Sequence, residues 1–172
     1  TLSRYAPERI QWPKKIQVSA LSQLIDEAFI ALHGRPGEDG TLQALLDREK
    51  IPYNGSGSVS SSRTIDKFET NQFLSKHGFH TAEQKVVFKS KYQENRDEFL
   101  EEVEAHFSYP FITKPLDDGC SSAVQKVKNR EQLASFASAI FREEQALDIA
   151  QYPLLALDPN EEFPMKDCFL IE

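Results

Sequence analysis

The chain has 172 residues, 40% of them apolar, and a formal charge of −7 from 20 basic against 27 acidic residues. That length allows one domain or two small subdomains with a core drawn from twelve phenylalanines, and the acidic balance argues against general binding to nucleic acid or anionic membrane. Two cysteines, Cys120 and Cys168, are too few for a disulfide framework and fit a reducing cytosol; no apolar run approaches the roughly 20 residues that span a bilayer, and no signal-peptide pattern is present.

Residues 1–26, with Pro7, Trp12 and Pro13, read as an irregular segment with one short strand near Ile16–Val18. Ala28 to Leu32 is a continuous apolar run, the pattern of a buried strand. It ends in His33-Gly34, and an acidic, glycine-containing turn follows to Gly40. Leu42, Leu45 and Leu46 then recur at helical spacing, with Asp39 as the expected N-cap, and Ile51-Pro52-Tyr53 returns the chain toward the sheet. Strand, turn and helix in this order belong to an α/β layered unit.

The stretch NGSGSVSSS, Asn54 to Ser62, has a flexible linker as its simplest reading. Asp66 with Glu69 makes a capping box for a helix bearing Phe68, Phe73 and Leu74, which Gly78 can close. Lys67 sits in the first turn of that helix, where the end is already positive, so it points to an anionic partner; an ordinary solvated lysine is the plain alternative. Glu83–Phe88 reads as a strand, and Tyr92, Phe99, Leu100 and Val103 mark an amphipathic helix. A second strand, Tyr109–Thr113, runs into Lys114-Pro115 and the loop LDDGCSSA, and Val124–Lys128 is a third strand. Asn129 with Gln132 caps a helix striped by Leu133, Phe136, Ala137, Ile140 and Phe141. Residues 143–166 read as a long polar excursion before a fourth strand at Phe169–Ile171. From residue 64 onward this order predicts a small antiparallel or mixed sheet backed by helices. The chain begins without methionine and stops inside an apolar strand, so a piece of a longer protein is expected.

The segment YPFITKPLDDGCSSAVQKV, Tyr109 to Val127, carries the most chemistry. A lysine leaves the end of an apolar strand, and five residues later Gly119 opens a turn of small residues, Gly119-Cys120-Ser121-Ser122-Ala123. Small side chains let backbone N–H groups approach phosphate oxygens, and an ammonium suits phosphate as a point charge. An ordinary hairpin turn favours the same residues. The spacing is not that of a P-loop. His33 is read either as a structural, hydrogen-bonded histidine or as a residue of a site, and Glu38-Asp39 as an acidic helix start. No spacing of His, Cys, Asp and Glu makes a metal site, and no catalytic triad assembles from local sequence.

Together four collinear stretches resemble the D-alanine–D-alanine ligases, a branch of the ATP-grasp enzymes: LHGRPGEDGTLQALL, IPYNGSGSVSSSRTIDKFETNQFL, PFITKPLDDGCSSAVQKV and CFLIE. The resemblance covers about residues 29–142 and the last five. It implies an α/β fold, α+β in the second part, in which residues 1–62 end a Rossmann-like pre-ATP-grasp domain and residues 63–172 form an incomplete first ATP-grasp subdomain. The implied reaction is ATP-dependent joining of two D-alanines through an acyl phosphate, for peptidoglycan precursor synthesis. By this resemblance Lys67 and Lys114 match two lysines that hold ATP phosphates, and Gly119, Cys120 and Ser121 match the loop over them. Ser121 also matches a serine of the active-site hydrogen-bond network. His33 matches a histidine near the first D-alanine, and Glu172 a carboxylate beside the adenosine. Magnesium is implied too, with its ligands expected outside this chain. The remaining implications are a cytoplasmic protein with small-molecule partners, no nucleic acid or membrane partner, a homodimer at full length, and no activity from the isolated piece. Cys120, Ala123 and Thr113 depart from the family pattern, and the 143–166 excursion is longer than the resemblance suggests. These departures keep two alternatives in view, a carboxylate–amine ligase for another substrate and a non-catalytic nucleotide-binding module.

Overall fold

A computed structural model describes residues 15–118, 123–158 and 163–172. The opening segment around Pro7, Trp12 and Pro13 lies outside the described residues. The strand expected at Ile16–Val18 is instead the entry to a 3₁₀ turn, Val18–Gln23, whose backbone groups bond locally, Ala20 N–H to the Gln17 carbonyl and Leu24 N–H to that of Leu21. Ala28 to Leu32 is likewise not a buried strand. Ala28 makes one parallel bridge to Tyr53, while Phe29 is 83% and Leu32 52% exposed. The apolar run signalled burial correctly only where a neighbour covers it, and one bridge leaves both faces open.

Helix α1, Thr41–Arg48, starts one residue later than the leucine pattern implied. Its N-cap is Gly40, at φ +86°, and Asp39 accepts from the Thr41 N–H at 2.9 Å. Gly40 is required by space as well as by φ: a Cβ there would lie 2.4 Å from the Ser58 carbonyl oxygen. That close approach explains why the small-residue stretch is not a linker from Ser58 on. Ser58–Ile65 forms helix α2, packed against α1, with the Ser61 and Thr64 hydroxyls bonded to carbonyls at Ser56 and Ser60. Tertiary contact here overrides a weak helix propensity. Helix α3, Lys67–Lys76, has the expected Asp66 cap on the Glu69 N–H, and Gly78 and Phe79 close its end on the carbonyls of Ser75 and Leu74. Its phenylalanines remain partly exposed, so α3 is no core helix.

The second part is a four-stranded antiparallel sheet: β1 Lys85–Phe88, β2 Phe111–Lys114, β3 Gln125–Val127 and β4 Cys168–Ile171, in the order β1-β4-β2-β3. Between β1 and β2 the single expected amphipathic helix is two, α4 Lys89–Glu94 and α5 Arg96–His106, because Asn95 leaves the helical path and caps the Glu98 N–H. Helix α6, Arg130–Ile140, is capped by Asn129 as expected and buries Leu133, Phe136, Ala137 and Ile140. The alternation of strand side chains gives the sheet two faces. One carries Val87, Phe111, Thr113, Val127, Phe169 and Ile171 into the core against α5 and α6. Phe169 is fully buried there among Phe99, Phe136 and Phe141, with the Phe136 ring edge-on at 4.9 Å. Thr113 keeps a buried polar group on this face by aiming its hydroxyl at the Gln125 carbonyl, 3.4 Å away.

The 143–166 stretch is less of an excursion than its composition suggested. It holds a short helix α7, Gln151–Leu155, and returns Leu155, Leu157 and Phe163 to the core. Arg142 staples the return: its guanidinium donates to the carbonyls of Ala139, at the end of α6, and of Phe163 and Pro164. Cations at helix C-termini are favoured, and the buried carbonyls gain donors. Cys168 is a free thiol on β4, and Cys120 lies outside the described residues. Among the described residues no helix is long and apolar enough to cross a membrane.

Phe136 is fully buried and touches both Phe163 and Phe169. Phe136→Ala is expected to lower stability by about 3–5 kcal/mol, the usual loss for a core phenylalanine. Urea denaturation followed by circular dichroism checks this.

Candidate functional site

The sheet face opposite the core positions the site. Lys114 faces Leu170 across the β2–β4 pair, and Glu172 lies two residues further on, exchanging backbone hydrogen bonds with Ile112 at 2.8 and 3.0 Å. Lys114 and Glu172 are therefore diagonal neighbours on one face, and their side chains form an ion pair. The Gln84 amide donates to the other Glu172 oxygen at 2.7 Å. Burial pushes the Glu172 carboxyl up, but the bonds from Lys114 and Gln84 and the charges of Lys114 and Lys67 outweigh it and hold it below the ordinary range.

Lys67 arrives from the other direction, on the first turn of α3. Its N–H, one of the helix's unpaired donors, meets the Leu116 carbonyl at 3.0 Å. Its ammonium donates to the carbonyls of Leu116 at 3.3 Å and Asp118 at 2.7 Å. Burial lowers the Lys67 pKa, and the Lys114 charge lowers it further against the pull of Asp118, Asp117 and Asp66. The two lysines expected to share a site are thus within electrostatic reach of each other and of Glu172. Gly119, Cys120 and Ser121, the expected phosphate loop, lie outside the described residues.

Beside Lys67 opens a cleft of about 500 Å³, walled by Glu38, Gln43, Asn54, Ser56, Thr64 and Asp118 among others. This is the size of a small-ligand pocket. The His33–Gly40 turn forms one wall. Glu38 accepts from the Gly34 N–H at 2.6 Å, and Gln43 donates to the Gly37 carbonyl at 2.6 Å. Gly37 itself sits where a Cβ would lie 2.4 Å from that of Leu32. His33 is largely exposed, with its ring nitrogen 3.5 Å from Glu38, and is not part of the cleft wall. Gln43 Oε1 is buried with no hydrogen-bond partner among the described residues.

Sequence reasoning missed a cluster that joins these parts. Arg35 reaches Asp39 and Asp117 at 3.0 Å each, and Lys166 reaches Asp117 at 3.0 Å and Asp118 at 2.7 Å. Burial opposes the charge on Arg35, Asp117 and Lys166, yet the pairings prevail: the two cations titrate above their ordinary range and Asp117 below. The only sequence signal was the adjacent Asp117-Asp118 beside the lysine strand; nothing linked it to residues 35 and 166. Among the described residues no group of three or more His, Cys, Asp or Glu side chains could hold a metal ion.

Two family models match the chain. Residues 4–56 match the family described as D-ala D-ala ligase N-terminus, and residues 73–152 that described as D-ala D-ala ligase C-terminus. The chain is 43% identical over 109 residues to a D-alanine–D-alanine ligase of Natranaerobius thermophilus, covering 63% of this chain and 30% of that protein. It is 36% identical over 132 residues to one from Pelodictyon phaeoclathratiforme, covering 77% and 36%. Among solved structures, the VanG D-Ala:D-Ser ligase of Enterococcus faecalis is similar with a TM-score of 0.60 at 26% identity, over 86% of this chain and 36% of that one. The D-alanine–D-alanine ligase of Helicobacter pylori gives 0.59 at 25%, over 85% and 36%. The chain spans about a third of the length of the relatives it matches.

The Lys114–Glu172 pair makes stability depend on acid. A carboxylate whose folded pKa is depressed adds stability above its unfolded value of about 4.3, and that stability is lost as pH falls through the folded pKa. The gap in urea midpoint between the parent and Glu172→Gln is therefore expected to be widest near neutral pH and to narrow steadily below about pH 4.3.

Proposed function

Because this chain belongs to the D-alanine–D-alanine ligase family, we propose that the whole protein carrying it is a cytoplasmic ligase that couples ATP cleavage to joining two D-alanines, in cell-wall precursor synthesis. The chain supplies one side of the nucleotide site and one wall of the amino-acid cleft. Residues 1–62 belong to the substrate domain and residues 63–172 to the first ATP-grasp subdomain. The observation that carries this reading is that Lys67, which lines the cleft, donates to the carbonyls of Leu116 and Asp118, two and four residues beyond Lys114 at the end of β2.

The chemistry is phosphoryl transfer followed by acyl transfer. The terminal phosphoryl group of ATP passes to the carboxylate of the first D-alanine, ADP leaves, and the acyl phosphate forms. The amine of the second D-alanine attacks the acyl carbon, the C–O bond to phosphate breaks, and a peptide bond and free phosphate result. Negative charge is concentrated on the phosphates throughout, and ammonium groups held in a half-buried site offset it more strongly than in water. Lys67 exchanges its carbonyl acceptors, and Lys114 its carboxylate, for phosphate oxygens. For Lys67 the exchange supplies a full opposite charge, which its two carbonyl acceptors do not, to an ammonium that burial and the Lys114 charge disfavour. The described residues provide no set of magnesium ligands.

A second reading retains the reaction but changes the second amino acid. The structural likeness to a D-Ala:D-Ser ligase, TM-score 0.60, matches that to a D-alanine–D-alanine ligase, 0.59, and Cys120 and Ala123 depart from the family pattern. Phosphate release by the whole protein, measured with D-alanine alone and with D-alanine plus D-serine, separates the two. Release that ignores D-alanine altogether overturns both. The 172-residue chain alone is expected to release no D-alanine-dependent phosphate.

Loss of a charge-assisted hydrogen bond costs about 1.5–3 kcal/mol. Lys67→Ala and Lys114→Ala in the whole protein are therefore each expected to weaken ADP binding roughly ten- to hundredfold by titration calorimetry. Unchanged affinity in both removes the phosphate role.

A further inference from the structure

Charged side chains from three separate stretches meet at the start of the β2–β3 connection. Asp117 has both carboxylate oxygens engaged, one by Arg35 from the first turn and the other by Lys166 from the approach to β4. Lys166 also takes Asp118 at 2.7 Å, and its own N–H donates to the Ile140 carbonyl at 2.9 Å, which fixes it to the end of α6. Arg35 in turn holds Asp39, at the entry to α1. The residues on either side of Asp117 are Leu116 and Asp118, whose carbonyls receive the Lys67 ammonium.

Resting on the reading of Lys67 as a phosphate ligand, we propose that Arg35, Asp117 and Lys166 form a positioning clamp. The clamp holds the Leu116–Asp118 backbone so that its carbonyls orient the Lys67 ammonium, and ties that ammonium to the His33–Gly40 wall of the amino-acid cleft. The arrangement suits this task better than stabilisation. Arg35 is 54% exposed, and pairs of that kind contribute little to folding. A carboxylate gripped at both oxygens, however, limits how far the peptide groups that carry it can shift. Asp118 is held at its carboxylate by Lys166 while its carbonyl holds Lys67, so one residue transmits the constraint. Small displacements of a charged ligand group carry large losses at a reacting centre, and a weak network is enough to prevent them. Arg35 and Lys166 are positioning residues, since they act through Asp117 and Asp118.

The test is ADP affinity by calorimetry on the whole protein, with melting temperature recorded in the same buffer, for Arg35→Met, Lys166→Met, Lys166→Arg and Lys67→Ala. Each methionine variant is expected to weaken ADP about two- to fivefold, the range of partly exposed ion pairs, with little change in melting temperature. Lys166→Arg, which keeps the charge, is expected to retain affinity near the parent's. Methionine variants that bind ADP as the parent does while Lys67→Ala binds more weakly overturn the clamp and leave the phosphate reading standing. Failure of Lys166→Arg to retain affinity also overturns it, because packing rather than charge is then at work. If Lys67→Ala itself binds ADP normally, the phosphate reading falls and takes the clamp with it. Should Lys166→Met not fold, the half-exposed Arg35→Met decides the matter.

Discussion

Two ammonium groups brought into one half-buried place repel each other and lose hydration together. Everything around Lys67 and Lys114 offsets that. Lys114 has a carboxylate at diagonal reach on the neighbouring strand, and Lys67 has two carbonyls from the turn that follows β2. The offset is incomplete at Lys67, where burial and the Lys114 charge disfavour the ammonium against the pull of Asp118, Asp117 and Asp66. A site in that condition is receptive to an anion. The helix start beneath Lys67 adds its own positive end, which the Leu116 and Asp118 carbonyls offset only in part.

Much of this was legible in the sequence, and the reasons differ by element. Helix α6 was readable because its apolar stripe is regular and its cap is a side chain three residues from its partner. The strands were readable because they alternate or run apolar between turn signals. The segment Ala28–Leu32 misled because an apolar run reports a tendency to be covered, whereas the cover depends on other chain. The serine-rich helix α2 was hidden because its stability comes from lying against α1 at a glycine, a contact no local window contains. At the site, both lysines announced themselves through position at element ends, whereas Glu172 was flagged only by the family resemblance. The Arg35–Asp117–Lys166 cluster did not, since its members are 82 and 49 residues apart and surface charges carry no periodicity.

Ala123 shows how a departure from a family pattern can be accommodated. It adopts φ +52°, the left-handed region, where an L-residue costs about 1–2 kcal/mol. Its methyl group is fully buried, and burying one such carbon returns about 0.8 kcal/mol. Burial offsets part of the cost, and a backbone shape suited to glycine persists with alanine in place.

The position of β4 has a consequence for how the molecule comes into being. It lies between β1 and β2, although it is the last of the four described strands in sequence, and Phe88 pairs with Cys168. As the chain leaves the ribosome, β1 and the β2–β3 hairpin emerge early with open edges and an uncovered aromatic face. β1 waits for some eighty residues of further translation, and the hairpin for some forty, before the strand that joins them arrives. Pairings so distant in sequence form slowly, and exposed edges invite association with other nascent chains. The same insertion that sets Glu172 beside Lys114 therefore makes synthesis of the whole stretch a precondition for the sheet, and leaves chaperones a defined interval in which to act.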